Sequence, residues 1–231
     1  MTPERYQRLR AVLDRRQPDL TVITDNVHKG RNLSAIVRTA DAAGIAQMHA
    51  VIDDKDYKAF RGTAMGSHSW VEVRRHRDIG ELIIGLQARG VQVLAAHLDA
   101  QSVDYREPDY SRPTAVLLGA EKRGVSAEAC ALADAHITIP MMGMVQSYNV
   151  SVAAGIILSE AQYQRQRAGM YAQPRLDADT YQRLLFEWAH PEVSDFCRGK
   201  NLPYPPLRDD GEIDQPAEWY RQIKARKQAG S

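Results

Sequence analysis

The sequence predicts an α/β protein with a mostly parallel sheet and helices on both of its faces. Short apolar runs rich in β-branched residues alternate with helical patterns along residues 18–168, as in chains of strand–helix units. The 231 residues are enough for one full core with appendages, or for two small domains. After Gly169 the chain becomes rich in proline, and no convincing strand follows.

The elements are predicted in chain order from these patterns. Strands are expected at 20–24, 47–52, 70–75, 91–98, 114–119 and 136–140. Helices are expected at 32–44, 79–90, 126–133 and 149–167, and glycines close the first two. We therefore predict a helical N-terminal arm (1–17), an α/β domain (18–168) and a helical C-terminal extension (169–231) with helices at 177–189 and 216–228.

Composition excludes several classes of protein. No run approaches the ~18 apolar residues that span a bilayer, and the N-terminus MTPERYQRLRAVLDRR is charged where a signal peptide would be apolar. A cytoplasmic protein is expected. Two distant cysteines without CxxC spacing and seven histidines without HExxH predict no metal site. The net charge is +1, but both ends are basic, which suits either arms that grip a phosphate backbone or solvated helix faces.

Two nucleotide-binding motifs are absent. Gly119–Gly124 has the glycine spacing of a phosphate loop, but Val125-Ser126 follow where Lys-Ser or Lys-Thr is required. No GxGxxG follows the first strand. The sequence therefore predicts neither an NTPase nor a Rossmann dinucleotide site.

The first candidate segment is NLSAIVRTAD, which begins at Asn32. Its apolar positions would face the sheet, and Arg38 could project from the helix edge toward a cleft. The alternative is that Asn32 is a helix N-cap and Arg38 a surface ion-pair partner.

Two further segments follow strands. In LLGAEKRG, a buried strand ends at Gly119 and Glu121 comes two residues later, where open α/β sheets bind ligands; a plain turn with a solvated Glu121 is the alternative. The loop IPMMGM leads into QSYN, and could present backbone groups and thioethers to an adenine or sulfonium ligand. Alternatively the methionines pack in the core and Ser147 caps the next helix.

Together these segments resemble the TrmH branch of the SPOUT superfamily of RNA methyltransferases. The likeness includes RRQPDLTV, HKGRNLSAIVRTADAAG, GSHSWVEV, LLGAEKRGV, IPMMGMVQSYNVSVAAGIIL and the tail's LPYP and DGEI. It implies a deep trefoil knot in the C-terminal part of the α/β domain, an exception to the rule that chains avoid threading. It also implies a homodimer whose active site is completed across the interface.

The resemblance implies S-adenosylmethionine as the cofactor and a guanosine ribose 2′-hydroxyl in the tRNA D-loop as the acceptor. Arg38 would activate the hydroxyl in the partner's site, with Asn32, Glu121, Ser147 and Asn149 orienting the reacting groups. The cofactor would be held by Ala96, His97, Leu118, Gly119, Ile139, Met141, Met144 and Tyr148. Phosphate contacts are expected from Arg8, Arg15, Arg16, Lys122 and Arg123.

Two other functions stay open at this point. One is a ribosomal RNA 2′-O-methyltransferase of the same superfamily, although those relatives usually carry an N-terminal RNA-binding domain in place of a short arm. The other is a non-catalytic knotted RNA-binding protein, against which the intact set of polar site residues speaks.

Overall fold

The computed structural model describes residues 1–52 and 70–229. They belong to two compact units, one of Arg15–Arg175 and one of Met1–Asp14 together with Leu176–Ser231. The first four residues of the GSHSWVEV motif lie outside the described ranges. None of the helices in these ranges is long and apolar enough to cross a bilayer.

The larger unit is built on a seven-stranded sheet. In chain order its strands are β1 (Leu20–Asp25), β2 (Gln47–Val51), β3 (Glu72–His76), β4 (Gln92–Ala96), β5 (Val103–Asp104), β6 (Thr114–Gly119) and β7 (Ala135–Thr138). Their order across the sheet is β3-β2-β1-β6-β4-β7-β5, and each neighbouring pair is parallel. The predicted parallel sheet is confirmed. The two-residue β5 was not predicted, because so short a segment has no periodicity.

Helices cover both faces of this sheet. They are α2 (Gly30–Ala42), α3 (Ile79–Gln87), α4 (Ala127–Leu132) and α5 (Val150–Arg167). Along β6, Val116 and Leu118 join a core cluster with α2 and α5, whereas Ala115 and Leu117 join a second cluster with α3 and α4. Because side chains alternate along a strand, the two clusters lie on opposite faces. The predicted arrangement of helices is confirmed.

The smaller unit is helical. It contains α1 (Pro3–Leu13), α6 (Ala178–Ala189), α7 (Pro191–Lys200) and α8 (Pro216–Ala229). The Tyr181 hydroxyl donates to Asp14 Oδ1 at 2.9 Å, and Phe186 stacks on Tyr204 at 4.6 Å. Helix α7 was not predicted. Pro191 occupies the start of this helix, where its missing N–H costs nothing.

Two helix starts differ from the alternatives considered for the sequence. Helix α2 begins at Gly30 after Lys29, so Asn32 lies inside the first turn and the N-cap alternative for it is wrong. Helix α5 is capped by Asn149, whose side chain accepts a hydrogen bond from the Ser151 N–H; the alternative cap Ser147 is therefore wrong too. A single residue satisfies the exposed amide at this helix start.

Candidate active site

The carboxyl ends of the central strands open onto one cavity of about 390 Å³. In the ladder, the last residue of β1, Asp25, is opposite Gly119 of β6, and Ala96 of β4 is opposite Ile137 of β7. Parallel strands present their carboxyl ends at the same edge, which is where open α/β sheets bind ligands. The volume lies within the range of small-molecule sites.

Most of the residues predicted to hold the cofactor line this cavity. They are Ala96, His97, Leu118, Gly119, Ile139, Met141 and Tyr148. Val150, Ala153 and Ile157 of α5 add an apolar wall that the sequence prediction did not include. Met144 is 99% exposed and does not line the cavity, although Ser147 and Tyr148 of the same loop do.

The loop after β6 is a closed turn. Ala120 and Gly124 exchange two backbone hydrogen bonds of 3.0 and 2.8 Å, and Gly124 has a φ of +67°. A Cβ on Gly119 would lie 2.0 Å from the carbonyl carbon of Gly124. Glycine is required at position 119 because the returning loop occupies the space of a side chain. The turn holds Glu121, Lys122 and Arg123 at the rim of the cavity.

Asp25 holds the far end of this loop, and the sequence prediction missed it. The residue is 1% exposed, its Oδ2 accepts the Ser126 N–H at 2.8 Å, and its Oδ1 accepts the Asn26 side-chain N–H at 2.8 Å. Ser126 caps α4 directly after the Gly119–Gly124 turn. The sequence signal that could have identified Asp25 is a carboxylate at the end of an apolar strand, because a buried charge needs hydrogen-bond or ion-pair partners.

Asn149, Asn32 and Glu121 form a directed chain of hydrogen bonds. Asn149 Oδ1 accepts the Ser151 N–H at 2.9 Å, so its Nδ2 faces Asn32 Oδ1 at 3.4 Å. With its oxygen so engaged, Asn32 donates through Nδ2 to Glu121 Oε1. An amide has one accepting and one donating end, so the cap of α5 determines the orientation of both asparagines. Three of the predicted site residues therefore lie together.

Glu121 is not the solvated turn residue of the alternative interpretation. Its side chain is 16% exposed, and besides the bond from Asn32 it has Lys29 Nζ at 3.9 Å from Oε1. Ser147 lines the same cavity. The carboxylate is therefore held next to a cation and an amide at the edge of the cavity, where it can accept a hydrogen bond from a ligand hydroxyl.

Arg38 lies apart from this group. It is exposed on α2, it does not line the cavity, and it makes no hydrogen bond or ion pair with the described part of the chain. The alternative of a surface ion pair is therefore wrong within residues 1–52 and 70–229. Arg38 follows Asn32 by six residues, which corresponds to a helix rotation of about 600°, so the two side chains point in different directions.

The basic residues predicted to contact RNA divide into two groups. Arg8, Arg15, Lys122 and Arg123 are exposed. Arg16 is fully buried, with Nη2 at 2.6 Å from Asp41 Oδ1 and Nη1 at 2.9 Å from the Ile45 carbonyl oxygen. The prediction of a phosphate contact by Arg16 is wrong, because its guanidinium anchors the end of α2 inside the protein.

No group of three or more potential metal ligands occurs in the described ranges.

Comparison with known proteins shows the family to which the chain belongs. The profile of the SpoU rRNA methylase family matches residues 19–159, and its C-terminal profile matches residues 163–216. The chain belongs to the SpoU rRNA methylase family. The first match contains all the strands of the sheet and the whole of the cavity wall.

Individual known methyltransferases and tRNA-modifying enzymes are similar over most of the chain. The tRNA (guanosine(18)-2′-O)-methyltransferase of Escherichia coli strain K12 is 50% identical over 227 residues, 97% of this chain and 99% of that one. The crystal structure of the Aquifex aeolicus TrmH/SpoU tRNA modifying enzyme is 44% identical, with a TM-score of 0.77, and covers 82% of this chain and 97% of its own. The AdoMet-bound rRNA methyltransferase of Sinorhizobium meliloti is 37% identical, with a TM-score of 0.56 and coverage of 69% and 60%.

Proposed function

We propose that this protein is an S-adenosylmethionine-dependent tRNA (guanosine(18)-2′-O)-methyltransferase, which methylates the ribose of a D-loop guanosine. The observation that carries the proposal is the 50% identity to the Escherichia coli enzyme over almost the whole of both chains. That similarity includes both compact units, so it extends to the part of the chain outside the sheet.

The residues around the cavity fit S-adenosylmethionine. Leu118, Ile139 and Ile157 offer apolar surface for an adenine, and strand ends offer backbone groups for its polar edge. Glu121 lies at the rim with Lys122 and Arg123, so carboxylate and cations are available to the charged parts of the molecule. When bound, this cofactor supplies a methyl group that its sulfonium has already activated.

The polar chain would orient the acceptor ribose. A ribose hydroxyl is a weak nucleophile near neutral pH, so it must be aligned with the methyl group and lose its proton. We assign the alignment to Asn32, Glu121, Ser147 and Asn149, of which three are already joined by hydrogen bonds. Arg38 would act on the hydroxyl together with an RNA phosphate, since a guanidinium by itself hardly deprotonates.

We further propose a homodimer in which Arg38 completes the partner's site. Arg38 does not line the cavity of its own chain, which supports a role in the cavity of a partner. An open groove on α5 offers a contact surface that is apolar at Val152, Ile156 and Tyr163 and polar at Ser159 and Glu160. Val152 and Tyr163 are 48% and 54% exposed. Self-complementary contact of one such face with its copy is typical of two-fold dimers.

The remaining features are proposed from the resemblance. The strand order places β4 between β6 and β7, which suits a trefoil knot through the last part of the α/β domain (18–168). The arm (1–17) and the extension (169–231) would contact tRNA, with Arg8, Arg15, Lys122 and Arg123 as phosphate ligands. A tRNA-modifying enzyme would work in the cytoplasm.

A ribosomal RNA substrate is the second candidate. The family description and the 37% identity to the Sinorhizobium meliloti enzyme favour it. This chain covers only 60% of that enzyme, whereas it covers 99% of the Escherichia coli tRNA enzyme, so tRNA is the better-supported substrate. A non-catalytic RNA-binding protein would not need the oriented Asn149–Asn32–Glu121 chain.

Methylation of unmodified tRNA with labelled S-adenosylmethionine tests the proposal. The label should be found on the ribose of the D-loop guanosine, and a tRNA with a 2′-deoxyguanosine at that position should take up none. Label on a base, or on ribosomal RNA but not tRNA, would contradict it. An absence of transfer to either RNA, with intact RNA binding, would favour the non-catalytic alternative.

A further inference from the structure

Behind the cavity, His136 joins two of the segments that form its walls. His136 is the second residue of β7, whose neighbours Ile137 and Thr138 line the cavity. Its Nδ1 is hydrogen-bonded to Oδ2 of Asp99, in the loop that follows β4. Its Nε2 lies 3.0 Å from the carbonyl oxygen of Cys130 in α4. One imidazole therefore connects β7, α4 and the loop after β4.

Both partners of this ring can only accept hydrogen bonds. The Cys130 carbonyl has no proton to donate, and the bond from His136 lowers the pKa of Asp99 to about 2, which keeps that carboxylate ionised. Two bonds to two acceptors require a proton on each ring nitrogen, and that is the charged imidazolium. A neutral ring would lose one of the bonds and face an acceptor with a lone pair.

Asp99 transmits this contact to the wall of the cavity. Its Oδ1 accepts the Gln101 N–H at 2.8 Å, and its own N–H donates to Ser102 Oγ at 2.8 Å. Ser102 Oγ also lies 2.8 Å from the carbonyl oxygen of His97. Loop 97–102 is thus folded around Asp99, and it begins with His97 and Leu98, which line the cavity.

The groups that face the ring are consistent with a retained proton. The bonds to Cys130 and Asp99 raise the pKa of His136 above its ordinary value, although burial opposes the effect. The His97 ring lies edge-on at 5.3 Å, and the Cys130 thiol has a raised pKa because of its burial, so it is neutral. Asp134, the residue before β7, accepts a hydrogen bond from the Val93 N–H at 2.7 Å.

We propose that His136, in its charged form, is a positioning residue for the cofactor: its ion pair with Asp99 fastens loop 97–102 to β7 and so preforms the cavity. The inference rests on the proposed function for the identity of the cofactor. Since the pKa of His136 is raised, the contact is complete below the ordinary histidine pKa of about 6.5 and is lost as the pH rises through the raised value.

The test measures S-adenosylmethionine affinity by calorimetry on the full-length protein at about pH 6 and about pH 9, on either side of the histidine titration. For a partly exposed ion pair, we expect wild-type affinity to fall roughly fivefold more than that of His136→Gln between these values. The amino group of the ligand titrates in the same range, but it contributes equally to every variant. His190→Gln, which removes a histidine from the smaller unit, should behave as the wild type does.

Two further variants separate charge from packing. His136→Lys retains a cation at both pH values and should bind the cofactor without the extra pH dependence and as tightly as the wild type does at low pH. Asp99→Asn should bind weakly at both values, as His136→Gln does, although His136 is present. A merely structural role would instead make all three variants equally weak.

The wild-type protein provides an independent measurement that does not depend on a variant that folds. Because binding and protonation are reciprocally linked, a fivefold effect requires the cofactor to raise the His136 pKa by roughly 0.7 units in an NMR titration of its ring protons. An unchanged pKa, or equal pH profiles in wild type and His136→Gln, would overturn this inference alone. Wild-type protein that binds no S-adenosylmethionine would overturn the proposed function and this inference together.

Discussion

The side-chain amide of Asn149 donates a hydrogen bond to the amide oxygen of Asn32, 3.4 Å away and 117 positions earlier in the chain. The same Asn149 caps α5 through its other end, at 2.9 Å from the Ser151 nitrogen. The residue that caps α5 therefore also orients the amide that donates to Glu121. The two duties of Asn149 use different atoms, so substitution can separate them.

Replacing Asn149 with aspartate should abolish one duty and keep the other. Asn149→Asp retains an oxygen for the Ser151 N–H but has no N–H for Asn32. We expect its free energy of unfolding in urea to stay near that of the wild type, because aspartate and asparagine cap equally well. Single-turnover methylation should fall roughly 10- to 100-fold through loss of alignment. Asn149→Ala is the control, and should lose activity together with about 1 kcal/mol of stability. Full activity in Asn149→Asp would contradict the orienting role.

Mixing two inactive variants tests whether Arg38 acts in the partner's site. Arg38→Ala and Glu121→Ala should each have little activity as homodimers. After co-refolding, a mixed dimer has one site with both residues intact, so random pairing should restore roughly a quarter of the wild-type activity. If Arg38 acted within its own chain, every site would lack one residue and no activity would return. Arg38→Ala refolded alone under the same conditions gives the baseline activity.

Two helical glycines with free space at the Cβ position allow the dimer surface to be tested by substitution. A Cβ on Gly155 in α5, or on Gly85 in α3, would meet nothing within 4 Å. Arginine should fold at either position, since it is a better helix former than glycine by up to about 1 kcal/mol. Gly155→Arg lies in the α5 groove and should give monomers in light scattering with loss of methylation, while Gly85→Arg should remain dimeric and active. A dimeric Gly155→Arg would place the interface elsewhere.

A pair formed by the buried His49 and the half-buried His76 should make the protein acid-sensitive. His49 of β2 is 3% exposed, and its Nδ1 lies 2.9 Å from Nε2 of His76 at the end of β3. Burial, with a smaller contribution from the charge of His76, lowers the pKa of His49 to about 4. Because the unfolded chain then binds the proton more readily, stability is complete above about pH 6.5 and decreases toward pH 4, by on the order of 3 kcal/mol.

Urea unfolding between pH 7.5 and 4.5 measures this effect. His49→Gln should show a shallower loss of stability on acidification than the wild type, because it lacks the buried His49 imidazole that acid would protonate. His190→Gln is the matched control in the smaller unit, and should keep the wild-type slope. Equal slopes in wild type and His49→Gln would show that other groups cause the acid sensitivity.

Local patterns were sufficient for the class of the fold. Apolar runs such as LTVIT and TAVLLG became strands β1 and β6, and the helical periodicity of NLSAIVRTADAAG became α2, because burial on a sheet imposes these repeats on the sequence. The order of the strands and the two-residue β5 depend on pairings between distant segments, which no local pattern contains. The trefoil knot stays a prediction.

For the site, the chain's own sequence identified Asn32, Glu121 and Asn149 as candidates through motifs and family resemblance, and the tertiary structure decided how they are connected. The local cap at Ser151 orients the Asn149 amide, but the direction of the Asn32 amide depends on Asn149 and Glu121, 117 and 89 positions away. The Asp25 contact that holds the turn after β6 likewise joins residues 101 positions apart. Arg16 had the charge expected of a phosphate ligand, but the end of α2 encloses it. Charge is a property of the residue, whereas burial belongs to the folded chain, and only folding brings Asp99 to His136.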